Sequence, residues 1–96
     1  MITGKNYIGN KLSANGSVSH RTFNPKLNIE NDCDFFEATL EEVDEAVELA
    51  NKAFKEYRNI SGAKRAEFLN AIADEILGLG DELTQMYSLE SGLPEG

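Results

Sequence analysis

At 96 residues the chain is one domain or part of one, with room for only a modest hydrophobic core. Hydrophobic residues at 41% and charged residues at 27% are ordinary for a globular protein. Its 9 basic and 17 acidic residues give a net charge of -8, which argues against a nucleic-acid surface or an anionic membrane as partner.

The opening residues lead straight into turn formers, so no secretory leader is expected. Asn6 to Leu12 reads as a small hairpin, with Gly9-Asn10 as a two-residue turn that places Gly at the first central position. Asn15-Gly16 predicts a second hairpin turn, the type with φ > 0 at both central residues. Val18 to Phe23 is the next expected strand, stopped by Asn24-Pro25 because proline cannot donate to a ladder. Lys26 to Asp32 reads as polar loop, and Asp34 to Ala38 as one more short strand. Residues 5–38 are therefore a hairpin region.

Helices follow. Thr39 to Tyr57 is the most legible: Thr39 and Glu42 form a T-x-x-E capping box. Leu40, Val43, Val47, Ala50, Phe54 and Tyr57 recur at threes and fours and share one face. Acidic residues crowd its N-terminal end and Lys52, Lys55 and Arg58 its C-terminal end, as the helix dipole favours. The range 40–57 is thus helical. A second helix spans 62–79 behind a Ser61 cap, with a broad apolar stripe through Phe68, Leu69, Ile72 and Ile76. Gly80 suits a left-handed residue after it. A third helix spans 81–91, capped by Asp81 and stopped by Gly92 and Pro94. Both stripes are expected to be core. The segment is α+β: hairpin strands, then three helices.

Little in the residues alone carries chemistry. One cysteine, Cys33, rules out an intrachain disulfide and a cysteine zinc site, and one histidine, His20, rules out a His-pair metal site. Cys33 lies between Asp32 and Asp34, and neighbouring carboxylates disfavour a thiolate. The acidic cluster from Glu41 to Glu48 reads as a solvated helix face rather than a cation site. Asn15-Gly16-Ser17 and Asn59-Ile60-Ser61 match the glycosylation triplet by chance, given no secretory leader. No apolar run approaches the roughly 18 residues of a membrane span. A cytoplasmic location is expected. The glycines form no dinucleotide loop, and neither a catalytic nor a cofactor-binding residue is identified.

Five short strings, in order, resemble the N-terminal segment of the aldehyde dehydrogenase superfamily. They are Asn6-Tyr7-Ile8-Gly9-Asn10; Thr22-Phe23-Asn24-Pro25; Ala38-Thr39-Leu40-Glu41-Glu42-Val43 with its continuation to Phe54; Arg65-Ala66-Glu67-Phe68-Leu69; and Leu89-Glu90-Ser91-Gly92-Leu93-Pro94. Leu93 departs from the lysine common at that position elsewhere in the superfamily. Within the superfamily the chain looks most like the semialdehyde branch that acts on 2,5-dioxopentanoate. The resemblance implies an α/β parent fold, with residues 1–96 as the N-terminal segment of its cofactor-binding domain. It implies NAD- or NADP-dependent oxidation of an aldehyde to a carboxylate. The cofactor and catalytic residues would belong to parts of the parent beyond this chain, and the 96-residue chain alone is expected to be inactive. It implies as partners the remainder of the dehydrogenase and an aldehyde substrate, no nucleic acid and no membrane, and a homo-oligomeric parent. One family site reaches this segment: a monovalent cation, whose positions here match Thr22, the Phe23 carbonyl and Glu90. Two other readings stand beside it, a free-standing acidic helical interaction module and a regulatory or degenerate paralogue that pairs with a full-length enzyme.

Overall fold

The computed structural model describes residues 2–96. Its elements run β1 (Asn6–Ile8), β2 (Lys11–Ser13), β3 (Ser19–Asn24), β4 (Ile29–Phe36), α1 (Leu40–Tyr57), α2 (Gly62–Gly78) and α3 (Gly80–Ser91). The strands form two separate antiparallel hairpins, β1–β2 and β3–β4.

The first hairpin closes as expected. Ile8 pairs with Lys11, and Gly9 takes φ +61 at the first central turn position, a conformation an L side chain resists. Among the described residues Ile8 is the one buried hydrophobic side chain.

The second hairpin corrects the expectation. Asn15-Gly16 is not a hairpin turn: β2 pairs with β1 alone, and neither residue has positive φ. Gly16 is small for another reason. A Cβ there would stand 2.4 Å from the Glu37 carbonyl oxygen, so the chain passes too close for a side chain. The hairpin turn lies instead at Pro25–Asn28. Asn24 Oδ1 accepts from the N–H groups of Lys26 and Leu27, Asn28 N–H donates to the Asn24 carbonyl at 2.8 Å, and Asn28 adopts φ 58. The expected loop Lys26–Asp32 therefore holds the first half of β4, and the strand expected at Asp34–Ala38 is its second half. Polar residues hid this strand, because its register comes from long pairing and not from apolar alternation. Between the Arg21–Asp34 and Phe23–Glu30 pairs, Thr22 alone faces Asn31–Cys33, so β4 bulges there. The Arg21 guanidinium donates across the ladder to Asp34 at 2.8 Å, and the imidazole of His20 stacks on Phe35 at 5.9 Å.

The helix ends follow local chemistry. The Thr39 box is complete: Thr39 Oγ1 accepts from Glu42 N–H at 3.1 Å, and Glu42 Oε1 accepts from Thr39 N–H at 3.0 Å. Ser61 Oγ caps α2 through the Lys64 N–H. Gly80 at φ +56 follows the α2 C-cap, as expected. The expected Asp81 cap is absent. Leu79 occupies the cap position without a side-chain bond, and Asp81 lies within the first turn of α3. The residue between two helices serves α2 as C-cap, so no free residue remains to cap α3.

The larger correction concerns the stripes. Glu42 is buried, and Ala46 and Leu49 are half-buried, so the covered face of α1 is this row and not the expected one. Leu40, Val47 and Phe54 stay 73%, 64% and 56% exposed. No residue of α2 is buried. The molecule is a slab of 49 × 35 × 17 Å with a radius of gyration of 16.8 Å, against about 12.5 Å for a compact domain of this length.

Candidate functional site

Two polar junctions hold the slab together. The first joins the β3–β4 hairpin to α3. Thr22 and Asn24 alternate onto one face of β3, and Ile29 and Asn31 onto the facing side of β4. Asn31 is buried and donates both amide hydrogens, to Thr22 Oγ1 at 3.1 Å and to the Leu89 carbonyl at 3.1 Å. It thus ties strand, strand and helix together across 58 residues of sequence. Gly92 ends α3 at φ 74, where a Cβ would meet Pro25 Cγ at 2.9 Å. The E-S-G-L-P ending of α3 therefore sits on the N-P turn, and the resemblance strings at Thr22–Pro25 and Leu89–Pro94 come together.

The second junction centres on the buried carboxylate of Glu42. Besides the Thr39 N–H, it accepts from the Ser13 hydroxyl, which pins β2 to the start of α1. The Ser13 hydroxyl foremost, then the Thr39 N–H, hold its carboxyl below the usual glutamate value, while burial pushes the other way. A carboxylate with these partners is committed to structure. It also occupies the N-terminus of α1, so that end offers no phosphate cradle.

The residues singled out from sequence fall into place as follows. Thr22 is half-buried with its hydroxyl accepting from Asn31; Phe23 is half-exposed on the opposite face of β3; Glu90 is exposed on α3 beside Leu89. Thr22 and the end of α3 are thus neighbours through Asn31. The donors are oxygens of hydroxyl, carbonyl and carboxylate type, the chemistry a hard cation takes, and Thr22 Oγ1 keeps a lone pair after accepting once. Cys33 is half-buried in the bulge as a free thiol, and no group of three His, Cys, Asp or Glu side chains gathers among the described residues. Asp34, beside Cys33, is held below the usual aspartate value by its hydrogen bond from Arg21 and by that residue's charge. Glu48 pairs with Lys52 at 3.9 Å on the solvated face of α1. Among the described residues no helix is long and apolar enough to cross a membrane. Among the described residues the strand-to-helix connection, 37–39, holds no glycine, so it lacks the Gly-rich turn that cradles a dinucleotide phosphate.

Sequence reasoning missed Asn31 and Ser13. Each acts through a partner far along the chain, and no local pattern marks either.

Comparison with known proteins bears on this arrangement. The family model described as "Aldehyde dehydrogenase family" matches residues 12–95. The chain is 40% identical over 94 residues to "Alpha-ketoglutaric semialdehyde dehydrogenase 2" of Azospirillum brasilense, covering 97% of this chain and 18% of that protein. It is 35% identical over 96 residues to "Alpha-ketoglutaric semialdehyde dehydrogenase" of Acinetobacter baylyi, covering 95% of this chain and 17% of that protein. It is 36% identical over 58 residues to "Succinate-semialdehyde dehydrogenase [NADP(+)] 2" of Schizosaccharomyces pombe, covering 60% of this chain and 12% of that protein. No solved structure matches. The chain thus spans under a fifth of the curated relatives it matches. A match over nearly all of its length makes this chain a member of the aldehyde dehydrogenase family.

Proposed function

We propose that these residues are the N-terminal segment of an NAD(P)-dependent dehydrogenase that oxidises a semialdehyde, 2,5-dioxopentanoate to 2-oxoglutarate, and that they clad its cofactor-binding domain. The observation that carries this reading is the alignment of nearly all of this chain with under a fifth of each of two α-ketoglutaric semialdehyde dehydrogenases. The uncovered stripes of α1 and α2 support the cladding role, because apolar faces this wide need a partner. The parent is cytoplasmic and homo-oligomeric in this reading. Its cofactor supplies the hydride acceptor. The nucleophile, base and phosphate loop belong to other parts of the polypeptide, and Cys33 is not the nucleophile. Thr22, the Phe23 carbonyl and Glu90 contribute to a monovalent-cation site that other parts of the parent complete.

The test is growth of reduced-cofactor absorbance with the full-length polypeptide and with the 96-residue chain, against a semialdehyde panel and both nicotinamide cofactors. The full-length protein is expected to turn over 2,5-dioxopentanoate best, the chain alone to be silent, and Cys33→Ser in the full-length protein to keep its rate. Silence of the full-length protein across the panel overturns the dehydrogenase reading. Turnover by the chain alone overturns the assignment of chemistry to other segments. For the cation site, Glu90→Gln is expected to weaken the dependence of thermal stability on potassium or sodium.

A further inference from the structure

Residues 14–18 link β2 to β3, and Asn15-Gly16 lies in this link. Asn15 is exposed and Gly16 half-buried. Among the described residues nothing engages the Asn15 side chain, and nothing accepts from the Gly16 N–H. A carboxamide one residue ahead of a free main-chain N–H is a reactive pair, because closure between them forms a five-membered ring. Glycine obstructs that closure least, having no side chain beside the attacking nitrogen.

The structure sets this asparagine apart from the others. The amides of Asn6, Asn31 and Asn59 are engaged as donors, to the Phe36, Leu89 and Lys55 carbonyls. Asn24 precedes Pro25, which has no N–H. Asn51 and Asn70 lie inside helices, where the next N–H is already bonded. Asn28 precedes the β-branched Ile29, and Asn10 precedes Lys11, which pairs with Ile8 in the ladder.

The same two residues touch the Glu42 junction. The Asn15 main-chain N–H is a further donor to the buried Glu42 carboxylate. Gly16 runs so near the Glu37 carbonyl oxygen that a Cβ would stand 2.4 Å from it, so the main chain has no slack there.

We propose that Asn15-Gly16 is a self-modification site, at which the chain converts Asn15 to aspartate and isoaspartate and thereby loosens the β2–α1 junction. Solvent base takes the Gly16 N–H proton. The nitrogen attacks Cγ of Asn15, the Cγ–Nδ2 bond breaks, and the side-chain nitrogen leaves as ammonia with a proton from water. Water then opens the cyclic imide. Opening at Cγ gives aspartate; opening at the main-chain carbonyl gives isoaspartate, with the chain now running through Cγ. The net change consumes one water and releases one ammonia, with no oxidation or reduction. Either product puts a carboxylate on the residue whose N–H serves Glu42, and like charges repel. Isoaspartate also adds a methylene to the main chain, about 1.5 Å of path, where Gly16 has no room. The inference is independent of the dehydrogenase reading.

The test is peptide mapping by mass spectrometry of the full-length polypeptide aged in mildly alkaline buffer, with isoaspartate scored by enzymatic methyl transfer. Conversion at Asn15 is expected to be at least tenfold faster than at any other asparagine of this segment. Amide exchange at the start of α1 should be at least tenfold faster in aged than in fresh protein. Asn15→Gln, at an exposed position, should abolish both changes, because its longer side chain closes only a six-membered ring. If Asn15→Gln alters the fold, fresh and aged wild-type protein are compared alone, since they share one sequence. Conversion at Asn15 no faster than elsewhere overturns the proposal. Conversion that leaves exchange at the start of α1 unchanged overturns it too, as does faster exchange in an aged, folded Asn15→Gln variant.

Discussion

At the scale of single residues, three positions decide local geometry. Gly4 lies against β4, where its carbonyl accepts from Phe36 N–H at 2.9 Å, and a Cβ there would stand 1.7 Å from the Asp34 carbonyl oxygen. Backbone cannot yield as a flexible side chain does. Gly4→Ala is therefore expected to destabilise by about 1–3 kcal/mol, read from chemical denaturation. Thr39→Ala removes the hydroxyl that caps α1 and is expected to cost about 1 kcal/mol; an unchanged midpoint would contradict the role. Glu42 makes a prediction about acidity. Its folded pKa is lowered, so the stability it contributes is complete above the ordinary glutamate value of about 4.3 and is lost as pH falls through the lower folded value. Glu42→Gln should lower stability at neutral pH and flatten the acid limb of a melting-temperature profile. A variant with an unchanged acid limb would show that another carboxylate governs it.

Between elements, the connections are polar clasps rather than interdigitated cores. Arg65, on α2, donates to the Tyr57 and Arg58 carbonyls at 3.4 and 3.3 Å, which satisfies the exposed C-terminal end of α1. Its guanidinium also lies 5.3 Å from the centre of the Tyr57 ring, and Tyr57 meets Phe68 edge-on at 5.8 Å. Arg65→Ala is expected to cost about 1 kcal/mol and to speed amide exchange at the α1–α2 junction. Arg65→Lys should recover only part of this, since an ammonium lacks the planar fork. Equal exchange in the alanine and wild-type proteins would rule out the clasp. Asn31 plays the corresponding part between β4 and α3, where its amide donates to the Leu89 carbonyl.

Across the whole molecule, the surface is too large for the mass. A compact monomer of 10.6 kDa exposes about 5,500 Å². This chain exposes 7653 Å², and the surplus is rich in leucine, isoleucine and phenylalanine from α1 and α2. A groove of about 410 Å³ between Tyr7 and the Phe68–Ile72–Ile76 row shows where contact is missing. The isolated chain is therefore expected to self-associate and to bind a hydrophobic dye. Size-exclusion chromatography and denaturant titration check this, and a monomer with a sharp two-state transition would contradict it.

The sequence by itself determined what depends on near neighbours. The Thr39–Glu42 box, the Gly9 turn, the Ser61 cap and the Gly80 and Gly92 stops all act within a few residues, so their signals lie in adjacent letters. The family strings were legible for the same reason. The tertiary structure alone decided how β4 pairs, why Gly16 is small and which face of α1 is covered. It alone brought Asn31 to Leu89 and Ser13 to Glu42. Periodicity shows that a helix has an apolar stripe but not whether anything lies against it. Here a polar anchor at Glu42 turns a neighbouring row inward and leaves the stripe outside, because one buried carboxylate with its donors in place fixes the helix's rotation.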